Sequence, residues 1–114
     1  MLNNDDEAKQ KIVELLSNWT GFLTAQGRIQ LIKDAYSAPD YQKVSRNIVP
    51  RVPYEGLSWL VASKTVSRLS SQRPEVFVQY LVTFRNKLNN SDEDEKQLKS
   101  ELDEVLSKYE LKLE

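Results

Sequence analysis

Neither cysteine nor histidine occurs in the 114 residues, and glycine occurs only three times. The first two absences together remove thiol nucleophiles, Cys/His zinc sites, Ser-His-Asp triads and histidine acid–base chemistry. Lack of cysteine also excludes disulfides, so nothing points to an oxidising compartment. Three glycines are too few for a phosphate-cradling loop, and no GxGxxG or GKS/T string is present. No apolar run approaches the roughly 20 residues that a membrane span requires. The opening MLNNDDEAKQK is acidic with no apolar run behind it, so it reads as neither a signal nor a transit peptide. These exclusions lead to the expectation of a cytoplasmic protein that is not an enzyme, uses no cofactor, holds no metal and has no membrane partner.

What remains is helical patterning. With 39% hydrophobic and 29% charged residues, the chain reads as one small globular domain over 1–114, its ordered part spanning about 5–111. Apolar residues recur at spacings of three and four almost throughout, which predicts an all-α, compact bundle of about six helices. The first runs from Asp5 to Asn18, with acids at its start and a stripe of Ile12, Leu15, Leu16 and Trp19. The second, capped by Thr24, reaches Tyr36 with Ile29, Ile32 and Tyr36 inward. A short third helix, capped by Asp40, carries Tyr41, Val44 and Ile48. Two prolines keep the segment from Ile48 to Pro53 from being helical inside. The fourth helix is predicted over Tyr54–Leu69 with Leu57, Leu60, Val61 and Thr65 on one side. The fifth, Pro74–Leu88, presents Phe77, Tyr80, Leu81, Phe84 and Leu88. The sixth, Asp92–Leu111, has Leu98, Leu102, Val105 and Tyr109 in a seam, with Ser91 and Asp94 as its capping pair. Trp19, Trp59, Leu60, Leu81 and Phe84 are expected in the core, and Met1–Asn4 and Lys112–Glu114 frayed.

Chemistry has few places to reside. Asp92–Glu95 lacks the alternating ladder and distant glutamate of a calcium loop, and suits the first turn of a helix. Asp103 and Glu104 have no recognisable carboxylate partner for acid–base work. Serines 58, 63, 67, 70 and 71 have no histidine to activate them.

Charge is more informative. Residues 1–27 carry a net −2 and residues 91–114 a net −5, while residues 28–90 hold ten bases against four acids. Three readings follow: the acidic last helix folds over the basic middle within one molecule; basic and acidic faces of separate domains dock; or the basic middle binds nucleic acid. Of the outward-facing two, protein docking is favoured, because the overall pI is near 5.6 and a free acidic helix would repel phosphates. The candidate partner-binding residues are Arg46, Arg51, Tyr54, Arg68 and Arg73 on one side and Asp92, Glu93, Asp94 and Glu95 on the other. Arg51 and Tyr54 sit in a proline-stiffened loop, and arginine and aromatic residues concentrate interface energy.

Four segments carry a resemblance: Ile12–Leu16, the run Ala25-Gln-Gly-Arg-Ile-Gln-Leu-Ile-Lys-Asp-Ala35, Gly56–Val61 and Pro74–Leu81. In their order, and in the Gly27-Arg28 pair opening the second helix, the chain resembles the effector-associated domains of bacterial conflict and signalling systems. The resemblance implies a death-fold-like adaptor with no active site. Its expected partner is a similar helical domain on an effector such as a protease or nucleotide-dependent switch, with self-association also open. That family usually appears fused to its effector, which leaves a stand-alone adaptor or a piece of a longer protein as the alternatives.

Overall fold

Helix starts are written into the chain by three polar side chains. In the computed structural model, which describes residues 2–108, Asp5 accepts the Ala8 N–H at 3.1 Å and Thr24 accepts the Gly27 N–H at 3.0 Å. Asp92 accepts from both Asp94 and Glu95, at 2.9 and 3.2 Å. Each bond satisfies a backbone donor that the first helical turn cannot. The helices so begun are α1 (Asp6–Asn18), α2 (Ala25–Ala35) and α6 (Glu93–Ser107). Between α2 and α6 lie α3 (Gln42–Asn47), α4 (Ser58–Ser70) and α5 (Pro74–Lys87), the last opened by its proline. Short 3-10 turns occupy Leu2–Asn4, Thr20–Phe22, Pro39–Tyr41 and Val49–Arg51, and no strand occurs among the described residues.

The all-helical bundle is as expected. α1 packs chiefly on α4 and α2 on α5, while α6 lies along α1 and α4 also meets α5. Their shared interior holds Ile12, Leu15 and Leu16 of α1, Leu31 and Ile32 of α2, Leu69 of α4, Phe77, Tyr80, Leu81 and Phe84 of α5, and Leu102 of α6, each essentially without solvent contact. The Trp19 ring tilts against Phe84 at 5.4 Å between centroids, and its indole N–H donates to Glu95 at 3.3 Å. Tyr36 donates to the Val76 carbonyl at 2.6 Å and so ties the end of α2 to the start of α5.

Several local expectations need correction. α4 begins at Ser58, not Tyr54, because Gly56 adopts φ +127 and turns the chain before the helix can start. Its buried stripe is Val61, Ala62, Thr65, Val66, Leu69 and Ser70; Leu57, Trp59 and Leu60 face solvent. Trp59 and Leu60 are therefore not core residues. On α2, Leu31 is buried and Ile29 only partly so. Asp40 makes no capping bond, since a 3-10 turn occupies Pro39–Tyr41. Val49–Arg51 is one helical turn after all, because Pro50 lies in the first positions of a 3-10 turn, where its missing N–H leaves no bond unmade. Asp92, not Ser91, caps α6. Leu2 is buried in a short turn where fraying was expected. Tyr109 and the expected end of the last helix at Leu111 lie outside the described residues.

Arg28, counted with the surface bases, is only 4% exposed. Its Nε donates to the Phe22 carbonyl at 2.7 Å, one terminal nitrogen to the Tyr54 and Gly56 carbonyls at 2.8 and 2.9 Å, and the other to the Ser58 hydroxyl at 3.0 Å. The guanidinium lies 5.3 Å from the centroid of the Phe22 ring, over its negative face. Gly27 makes this placement possible: a Cβ there would fall 1.9 Å from the Gly21 carbonyl oxygen, so any larger residue would push α2 off the Thr20–Phe22 turn.

Two outcomes are expected in urea unfolding. Leu81→Ala and Phe84→Ala should each cost about 2–5 kcal/mol, while Leu60→Ala stays below about 1 kcal/mol. Arg28→Met, which leaves several inward-facing acceptors without a donor, should cost about 3 kcal/mol or more, and Arg28→Lys should recover only part because one ammonium cannot span four acceptors.

Candidate functional site

The charged residues singled out in the sequence are distributed unevenly by the fold. Arg51 and Arg68 come together: with Lys64, Pro50, Val52, Pro53, Ser63 and Ser67 they line a recess of about 700 Å³ between the Val49–Arg51 turn and α4. Among the described residues no carboxylate lines it. Lys64 was not among the sequence candidates, although its i, i+4 spacing from Arg68 on one helix was a readable signal. Arg73 belongs elsewhere, in a recess with Asp40 and Lys43, and pairs with Glu75 at 3.3 Å. Arg46 is exposed in the last turn of α3 and lines neither recess.

Tyr54 is a structural residue in part. Half-buried, it donates its hydroxyl to the Val49 carbonyl and gives its own carbonyl to Arg28. It thus pins the proline-containing loop at both ends, and it also lines a separate groove with Ile29, Lys33 and Pro39. Burial pushes its phenol up to about 12. Tyr36 and Tyr80 are driven up as well, mainly by burial.

The acidic last helix divides into two halves. Toward its C-terminal end Glu101 receives Lys11 at 3.1 Å, and Asp103 receives Arg85 through two bonds of 2.6 and 3.3 Å. These pairs join α6 to α1 and α5; only Arg85 belongs to the basic middle, and α6 packs mainly on the acidic first helix, so folding of the last helix over the basic middle is met by a single pair. Glu101 and the neighbouring acids hold the Lys11 ammonium above its ordinary value. At the N-terminal end Asp92 and Asp94 border a recess of about 280 Å³ with Asn18, Thr20 and Glu95. Glu95 is committed inward, accepting from Trp19 and from the Asn89 N–H at 3.0 Å. Asp92, Glu93 and Asp94 are exposed, and no ion pair among the described residues includes them. Among the described residues, the fold therefore carries a basic recess, Arg51/Lys64/Arg68, and an acidic corner, Asp92/Glu93/Asp94, whose members form no ion pair.

Sequence reasoning missed a third feature. Leu57, Trp59 and Leu60 are 65%, 59% and 38% exposed, and Leu23 is 60% exposed. Large side chains in this number, three of them within the four residues Leu57–Leu60 at the start of one helix, suit an interaction surface. No cluster of three or more metal-ligating side chains occurs among the described residues, nor does any helix there have the length and apolarity to cross a membrane.

No family model matches the chain, and no curated protein or solved structure matches it either.

A pH dependence follows from Tyr54. Its folded-state value lies above the ordinary 10.0, so the fold favours the neutral ring; that contribution is complete below about pH 10 and is lost as the pH rises toward about 12. Urea midpoints measured from about pH 9 to 11 should fall for the wild type, and fall less steeply for Tyr54→Phe, which starts lower for want of its bond to Val49.

Proposed function

We propose that this domain is a non-catalytic protein-interaction module, an adaptor that recruits or assembles partners by docking one helical domain against another. The supporting observation is the separation of its free charges: three cations line one recess with no acid among them, and three carboxylates crown the start of α6 with no cation among them. Opposed fields of this kind steer encounter and fix register more than they add affinity. The partner is a similar helical domain, on a separate effector such as a protease or nucleotide-dependent switch, or a second copy of this chain. The reading extends to a role in bacterial signalling or defence, in the cytoplasm, and its support there is the resemblance of the segment order to effector-associated domains.

Nucleic acid is the second reading, carried by the same Arg51, Lys64 and Arg68. It requires log affinity to fall linearly with log salt, and flat titrations with duplex and single-stranded DNA and RNA at about 50 mM salt would retire it.

For the docking reading, light scattering of the chain alone and with a related helical domain should detect association that weakens as salt rises from about 0.1 to 1 M, where the screening length shrinks from about 10 to 3 Å. Arg51→Glu should reduce that association while shifting unfolding free energy by no more than about 0.5 kcal/mol, since its side chain is exposed and makes no ion pair among the described residues. Association indifferent to both salt and Arg51→Glu would defeat the reading.

A further inference from the structure

The basic recess, the exposed leucines and tryptophan, and the acidic corner form one connected band. At one end Asp92 and Asp94 share their recess with Asn18 and Thr20. The Thr20 carbonyl accepts the Leu23 N–H at 3.2 Å, which sets an exposed leucine next along. The Arg28 guanidinium then binds the carbonyls of Phe22 and Gly56, so the neighbours of those residues, Leu23 and Leu57, flank a single buried group. Leu57 leads directly into Trp59 and Leu60 on the first turn of α4. Along that helix Leu60, Lys64 and Arg68 follow at steps of four and so stack in one row, about 12 Å long, with Trp59, Ser63 and Ser67 in the next. Arg51 closes the far end. The order along the surface is acid, apolar, base.

A band of that order is complementary to itself when reversed. Turned end for end about a two-fold axis through its apolar middle, it lays the acids of one molecule over the bases of the other, twice, and apolar on apolar at the centre. We infer that the chain forms a symmetric dimer through this band, with Leu57, Trp59 and Leu60 of both copies about the axis and Asp92, Glu93 and Asp94 of each copy facing Arg51, Lys64 and Arg68 of its partner. The inference deepens the docking reading and rests on it for the charged ends; the two-fold symmetry and the apolar centre are additional to it. A closed two-fold contact uses the same patch on both subunits, so it saturates at two copies. It also covers the exposed large hydrophobic residues of the described chain, which head-to-tail docking of recess on corner alone would leave in water. A bilayer is the poorer occupant, because Arg51, Lys64 and Arg68 line a concavity between a loop and a helix and the carboxylates lie on the same band.

Sedimentation of the intact chain at tens of micromolar should show monomer and dimer and nothing larger. Trp59→Ala, Arg68→Glu and Asp94→Lys should each weaken dimerisation about tenfold or more, with thermal melts unchanged when recorded at concentrations dilute enough for the monomer, because all three side chains are exposed. An equimolar mixture of Arg68→Glu and Asp94→Lys should dimerise as wild type does, since both charged contacts are then restored in the mixed pair. The chain has no native cysteine, so Leu60→Cys reports position cleanly: it should form a disulfide-linked dimer on mild oxidation, whereas Arg68→Cys, far from the axis, should not. A chain that stays monomeric overturns the inference; if it binds anionic phosphatidylserine vesicles through Trp59 instead, the band is a membrane surface. Salt-sensitive association that grows beyond two copies, or a dimer in which Leu60→Cys fails to cross-link, leaves the docking reading standing and defeats the two-fold arrangement.

Discussion

The Arg28 guanidinium is a full positive charge withdrawn from water with no carboxylate beside it, and the geometry of the first half of the domain depends on it. Three backbone carbonyls, one hydroxyl and the face of Phe22 replace its hydration. Those acceptors come from two loops, the turn after α1 and the segment before α4. A hydrocarbon side chain would leave their carbonyls facing inward without donors. Gly27 and Gly21 are the steric conditions of this arrangement. A Cβ at Gly27 would strike the Gly21 carbonyl, and one at Gly21 would come within 2.4 Å of the Trp19 ring. The Gly27-Arg28 pair, distinctive in the sequence for no stated reason, is thus one device: glycine lets the backbone approach, and arginine fastens what has approached.

The remaining charges divide into those that assemble the bundle and those left over. Arg85 and Asp103 join α5 to α6, Lys11 and Glu101 join α1 to α6, and Lys87 reaches Asp34 on α2 at 2.6 Å. Lys87 and, secondarily, the Gln30 amide hold the Asp34 carboxyl below its ordinary value. Pairs this exposed contribute little energy apiece but determine which way each helix turns its polar face. Their result is subtraction. Once they have formed, Arg51, Lys64 and Arg68 beside α4 and Asp92, Glu93 and Asp94 at the start of α6 are among the charges left outside the ion pairs of the described residues.

Helices α1, α2, α5 and α6 were legible because each combines one apolar stripe with a local start signal: Asp5, Thr24, Pro74 and the acids at 92–95. The fourth helix was misread for a physical reason. Leu57, Leu60, Val61 and Thr65 are compatible with helical spacing, and bulk favours them as core. Yet Val61, Ala62, Thr65, Val66 and Leu69 make the better-centred stripe, and its small members suit a helix that packs closely on α1. Periodicity finds a stripe and not the direction it faces. Arg28 escaped notice because a charge is read as surface until its partners are seen, and here those partners are carbonyls, which a sequence does not display. Of the candidate site, Arg51, Arg68 and the acids at 92–94 were visible as charge; the exclusion of Arg46 and Arg73, the addition of Lys64 and the apolar centre depend on which elements pack together.

Trp19 and Trp59 have fallen on opposite sides of the boundary between interior and solvent. Trp19 is held against Phe84 with its indole N–H on Glu95, whereas Trp59 stands in water on the outer face of α4. The intrinsic emission of the folded chain is therefore a sum of a blue, quencher-shielded component and a red, quencher-accessible one. Loss of structure moves the first and leaves the second nearly where it was; covering the outer face does the reverse. With no label attached, the protein reports its folding and its surface on two separate optical channels.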